Sequence, residues 1–222
     1  MNVRDAVLAR HSVRAFLDRP VEAEIVRDLL SVAARTPSGG NLQPWRVDVM
    51  AGRPLAEFKR LVAERTAAGV IEQPEYDVYP RGLWEPLRAR RARAADQRFR
   101  AFGVSGEPDP QAILKVHTYA FFGAPVGLFF SMDRRVGPPQ WSDVGMFMQT
   151  LMLLAVERGL GTCPQEIWSN WPQTVAQAIG LPRTHMLFSG MALGYEDTDS
   201  PCNAFRTERE PLRAFATLVG FD

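Results

Sequence analysis

Arginine, serine and arginine alternate in Arg10-His-Ser-Val-Arg14. In an extended chain alternate side chains share one side, so Arg10, Ser12 and Arg14 can converge on a small anion. A guanidinium fork suits a phosphate bidentately, and a hydroxyl completes such a cage. The same residues also suit a plain basic edge of the surface. A second group, Pro37-Ser-Gly-Gly-Asn-Leu-Gln-Pro-Trp45, joins a permissive glycine pair to short polar side chains, so a planar ligand could approach its backbone closely. An ordinary helix-to-strand turn would need the glycines but gives no reason for Asn41, Gln43 and Trp45 together. The third group is Gly159-Leu-Gly-Thr-Cys-Pro-Gln-Glu166, where Pro164 withholds one backbone donor and leaves the next free to face a ligand. Glu166 could act as a general base or, through its backbone N–H, as a donor. Arg206 and Arg209 in a polar tail complete the candidates, although either alone reads as a surface charge.

Other chemistries are excluded by spacing. His11, His117 and His185 are isolated and the two cysteines lie far apart, so no metal-ligand cluster is expected. Gly103-Val-Ser-Gly follows a polar helical stretch, not the strand that a nucleophile elbow needs. Gly159-Leu-Gly-Thr-Cys-Pro lacks a third glycine and follows a helix, which argues against a dinucleotide-binding Rossmann turn. The reactive atoms of any enzyme built on this chain are therefore expected from a cofactor.

The chain has 222 residues, 46% hydrophobic and 23% charged, enough to bury a sizeable core. Lys+Arg is 26 against Asp+Glu 25, so no net field attracts nucleic acid or an anionic membrane. The first residues, MNVRDAVLAR, carry no apolar signal region, and a cytoplasmic location is expected. The longest apolar stretch, Gly145 to Val156, is broken by Gln149 and is too short to span a membrane. Cys163 and Cys202 are expected as free thiols.

The elements that must position these groups follow from periodicity. Asn2 suits the cap of a short helix, after which the chain runs extended from His11 to Phe16. Helices are predicted over Val21 to Arg35, Pro54 to Ala67, Leu87 to Arg100 (a solvated, arginine-rich face), Ala112 to Phe121, Trp141 to Arg158 (apolar nearly all round) and Pro172 to Ile179. Strands are predicted over Trp45 to Met50, Pro125 to Met132 and Met186 to Tyr195. Gly159 and Gly161 suit a helix C-cap, and the tail after Glu196 is too polar to pack alone, so it is expected to lie across another surface, such as a partner subunit. The order predicts a helix-rich α+β fold with few, mixed strands.

Taken in register, RHSVRAF, TPSGGNLQPW, FGAPVGLFF, DVGMFMQTLMLLAVERGLGTCPQE and ALGYEDTDSPCNAFRTEREP resemble the nitroreductase family of flavin enzymes over nearly the whole chain. The resemblance implies one domain over 1–222, an α/β/α sandwich around a mixed, mainly antiparallel sheet, with a variable excursion at about 70–110 and a C-terminal arm at about 197–222. It implies an intertwined homodimer holding flavin mononucleotide (FMN), with NAD(P)H as reducing substrate and a small-molecule acceptor such as a nitroaromatic or quinone. Arg10 and Ser12 would lie near the phosphate with His11 beside them, and Arg14 near flavin N1 and O2. Pro37, Ser38, Gly39 and Asn41 would reach the flavin from the other subunit. Pro164, Gln165 and Glu166 would lie along the ring edge with the Glu166 N–H near N5. Arg209 would bind phosphate, Arg206 and Thr207 would assist, and Gln140 would lie near the ring. Similar scaffolds also serve dehalogenation, ring dehydrogenation and oxygen-dependent flavin cleavage, and a flavin-binding protein without turnover is a further alternative.

Overall fold

The computed structural model describes residues 1–221. Helix α1 (Val3–Ala9) starts where the Asn2 side chain accepts the Asp5 N–H at 2.9 Å. Helix α2 (Ala23–Ala33) turns Val26, Leu29 and Ala33 inward, two residues short of the predicted span at each end. Strand β1 (Arg46–Ala51) and helix α3 (Gly52–Ala67) follow, then α4 (Leu87–Ala101), which buries none of its residues. Next come α5 (Pro110–Tyr119) and β2 (Val126–Asp133). Helix α6 (Pro138–Glu157) begins earlier than predicted because Pro138 and Pro139 occupy its first turn, where a missing N–H costs nothing. Strand β3 (Gly161–Gln165), α7 (Pro172–Ile179), β4 (His185–Gly194) and the short α8 (Pro201–Ala204) complete the chain.

The sheet order is β1-β2-β4-β3, and every pairing between these strands is antiparallel. The expected mixed character is confined to one parallel bridge, Ser12 with Thr162. Strand alternation sends Leu128, Phe130, Met191 and Leu193 into one core with α2 and α6. Phe129, Leu187 and Ala192 enter a second core with α3, α7 and Trp168. The sheet is thus the middle of three layers. Among the described residues no helix is long and apolar enough to cross a membrane.

Two expectations are revised. Gly161 is not a helix cap: it opens β3, and a Cβ there would lie 2.5 Å from Val13 Cγ2, so glycine permits the 12–14 segment to pack directly on the strand. Pro164 is tolerated because β3 is an edge strand. The polar tail crosses a surface of its own chain, with Glu210 reaching Arg90 at 2.8 Å and Arg93 at 3.5 Å on α4.

The excursion is pinned at its start. Buried Glu72 accepts the N–H of Gln173 at 2.7 Å and of Thr174 at 3.1 Å, placing a carboxylate on the N-terminus of α7. Glu75 and Arg134 form a bidentate pair at 2.6 and 2.8 Å. Tyr76 packs against Trp141 and Phe188, with ring centroids 5.5 and 6.1 Å away.

Candidate functional site

Val13 sets the position of the first basic group. It is 1% exposed, and its N–H donates to Thr162 O at 2.9 Å. Asn203 then holds the next residue: its side-chain oxygen accepts the Arg14 N–H at 2.7 Å, and its amide donates to Ala15 O at 2.8 Å and Asp197 O at 2.9 Å. The Arg14 guanidinium lies 5.6 Å from the Phe205 ring centroid and donates to Ser12 O at 3.2 Å. His11 is engaged at both ring nitrogens, by Ala9 O at 3.1 Å and by Glu196 Oε1 at 2.8 Å. Its role here is to tie the segment to the end of β4, not to present a free donor.

Charge is left over at this place. Six arginines are half-buried: Arg10, Arg14, Arg46, Arg65, Arg90 and Arg98. Arg46, Arg65 and Arg90 pair with Asp48, Glu72 and Glu210. Among the described residues Arg10, Arg14 and Arg98 pair with no carboxylate. Burial, and then the like charge of Arg209, pull the Arg10 guanidinium below its ordinary value. Burial first and Arg14 next do the same to Arg98. Half-buried cations without an acidic partner cost free energy, and a bound anion would relieve that cost.

Arg206 and Arg209 are exposed in the arm. Arg206 donates to Asn203 O at 2.7 Å, and Arg209 to Thr207 Oγ1 at 2.7 Å. Arg209 and Thr207 line a cleft of about 360 Å³ between the arm and α4, together with Arg90, Arg93 and Gln97.

The glycine loop forms a single short turn, Gly39–Asn41, at the start of α6. The buried Asp143 carboxylate accepts the Gly39 N–H at 3.3 Å, and Ser38 Oγ accepts the Gln43 N–H at 2.9 Å. Asn41 and Gln43 both take positive φ, 57° and 49°, a conformation few non-glycine residues adopt. Trp45 stacks on Phe147 at 4.9 Å and fixes the exit of the loop. Among the described residues no hydrogen bond or ion pair joins this loop, Pro37 included, to Arg10, Ser12 or Arg14. The two groups rest on different elements.

At the end of β3 the Gln165 side chain is engaged within the chain. Gln165 is buried, donating to Thr118 O at 2.7 Å and accepting from Trp168 Nε1 at 3.1 Å, so only its backbone remains for a ligand. Gln140 is engaged likewise, its Oε1 accepting the Gly137 N–H at 3.2 Å. Pro164 is half-buried and Glu166 exposed. No turn or loop hydrogen bond among the described residues engages the Glu166 N–H. Tyr76 is close enough for the Glu166 charge to be felt: its phenol is pushed up to about 12, first by burial and then by that carboxylate, and it donates to Phe188 O.

Residues outside the sequence-predicted set matter here. Asp143 was legible in principle as an acid set among the apolar residues of a helix, since a buried carboxylate must find donors. Asn203, Glu196, Tyr76 and Arg98 carry no local signal, because each acts through a partner distant in sequence.

The fold corresponds to that of known proteins. A family model described as the Nitroreductase family matches residues 7–195. A chloronitrobenzene nitroreductase of Comamonas testosteroni is 37% identical, covering 98% of this chain and 96% of that protein. A nitrobenzene nitroreductase of Ectopseudomonas oleovorans is 36% identical over the same shares, 98% and 96%. Among solved structures, the FMN- and NADPH-dependent nitroreductase NfnB of a Sphigopyxis strain superposes with a TM-score of 0.95 at 40% identity, covering 100% of both chains.

Proposed function

This chain belongs to the nitroreductase family, and from that premise we propose that it is an FMN-dependent oxidoreductase passing electrons from NAD(P)H to nitroaromatic, quinone or related acceptors. The observation that carries this reading is that the half-buried Arg10, which feels the like charge of Arg209, pairs with no carboxylate among the described residues. A phosphate monoester would supply the missing charge, with Ser12 and Thr207 as hydroxyl partners, and Thr207 Oγ1 already accepts from Arg209 at 2.7 Å.

When bound, FMN accepts a hydride from the nicotinamide and passes the electrons to an acceptor. The chain orients that chemistry. Arg14, held by Asn203 and backed by Phe205, stabilises negative charge on the pyrimidine edge of the ring. The backbone at Pro164, Gln165 and Glu166 would hold the other edge of the ring, with the Glu166 N–H as donor. Both substrates use one pocket in turn, so the kinetics are ping-pong.

The loop at Pro37, Ser38, Gly39 and Asn41 completes the site from a second copy of the chain. Its separation from the cations within one chain supports this homodimer, as do the exposed apolar residues of α1 and the arm. Val3 is 75% exposed and Phe215 72%. The whole chain acts as one flavin-binding unit in the cytoplasm, where NAD(P)H and free thiols coexist.

The test is spectroscopic. Protein purified in the presence of FMN should be yellow and should bleach on anaerobic addition of NADPH, then recover with a nitroarene. A colourless preparation that takes up no added flavin contradicts the proposal.

A further inference from the structure

The three half-buried arginines without a carboxylate are not all in the RHSVR segment. Arg98 comes from α4, in the excursion where the family resemblance is loosest. The fold places it deliberately: α4 lies on α8, with Cys202 Sγ 3.7 Å from Ala101 O, and Gln97 and Ala101 share a groove with Pro201 and Phe205. Phe205 is the ring beneath Arg14, and Asn203 of the same helix fixes the Arg14 backbone. Arg98 is thereby carried to the Arg14 side of the site, and its Nε is buried without any hydrogen-bond partner. A buried donor left unpaired among the described residues is costly, and an acceptor on a bound ligand would satisfy it.

We infer that Arg98 is a further cofactor-facing cation, which joins Arg14 in stabilising the negative charge that a bound flavin acquires on reduction. This rests on the flavin reading above. A hydride carries two electrons and one proton to the ring, and the oxidised nicotinamide leaves, so one negative charge stays on the ring unless a second proton arrives. Two fixed guanidiniums favour that anion and raise the reduction potential. Like the Arg14 charge, the Arg98 charge is desolvated, which strengthens its effect at short range.

The test is a redox titration of the FMN-loaded protein. Arg98→Gln should disfavour the reduced flavin about tenfold, about 30 mV for a two-electron couple, while retaining oxidised FMN. Arg98→Lys, which keeps the charge, should recover most of that shift. Arg88→Ala, an exposed cation of the same helix paired with Glu85, should leave the potential unchanged. A wild-type potential in Arg98→Gln overturns the inference, and so does dissociation of that variant to monomers at unaltered potential, which would set Arg98 against an acid of a second copy. If the glutamine variant holds no flavin, the lysine variant decides: a near-native potential supports the inference and a low one overturns it. A wild-type chain that takes up no flavin sinks the flavin reading itself.

Discussion

In the second turn of α6 the buried carboxylate of Asp143 accepts the backbone N–H of Gly39 at 3.3 Å, so a largely apolar helix holds a conformationally unusual loop. The loop needs this anchor because Gly40, Asn41 and Gln43 all sit at positive φ. Asp143→Asn keeps the shape but loses the charge-assisted bond. We expect a stability loss of about 1–3 kcal/mol by thermal denaturation and a weaker affinity for FMN by fluorescence titration. Unchanged affinity would separate the loop from the cofactor.

Arg10 and Arg209 repel each other in the free protein and should share a phosphate in the holoprotein. Arg209→Ala is therefore expected to act with opposite signs. The apoprotein should be no less stable than wild type, whereas FMN affinity should fall roughly tenfold to a hundredfold, the scale of one charge-assisted hydrogen bond. Calorimetry with and without FMN reads both. A loss of apoprotein stability would mean that the two cations are not opposed.

Glu72 joins the excursion to α7 by accepting from Gln173, Thr174 and the Thr174 hydroxyl. Glu72→Ala leaves those donors unmet at a site 6% exposed. A loss of about 2 kcal/mol or more is expected, with faster hydrogen exchange in 70–110 and little change in the sheet. Exchange spread evenly over the chain would contradict this anchoring role.

Tyr76 makes stability depend on pH at the alkaline end. Its folded-state value is about 12, against roughly 10 for an unfolded tyrosine. The folded state therefore holds its proton more tightly. The resulting stability is fully present below about pH 10 and is lost as pH rises toward the folded value. Tyr76→Phe should flatten that alkaline decline in chemical denaturation, although it also leaves Phe188 O without its donor. An identical decline in the variant would assign it to another group.

Much of the architecture was legible because periodicity reports local burial. The α2 stripe and the α6 span emerged with their cores nearly in place, and the helix from Pro172 to Ile179 has the predicted bounds. Strand β3 was not legible: a five-residue edge strand containing Gly161 and Pro164 has no alternating pattern. Its existence depends on Val13 packing against Gly161 and on pairing with β4, both non-local. Arg10, Ser12 and Arg14 were singled out by their alternation. The engagement of Gln140 Oε1 in a helix cap and of the Gln165 side chain by Trp168 was not legible, since nothing in a polar residue's type announces such partners. Arg98 shows the converse, for it looked like one more charge on a solvated helix until tertiary packing set it beside Arg14.

The central claim is that cations of one chain and the glycine loop of another form a single site, and subunit complementation tests it most directly. Arg10→Ala and Asn41→Ala should each lower flavin retention in their own homodimers. Co-expressed with different tags and isolated as the mixed dimer, they should regain flavin at one site of each pair, because one cleft then has both native halves. If the mixed dimer stays as depleted as its parents, both groups serve the same chain's flavin and the shared-site account is wrong.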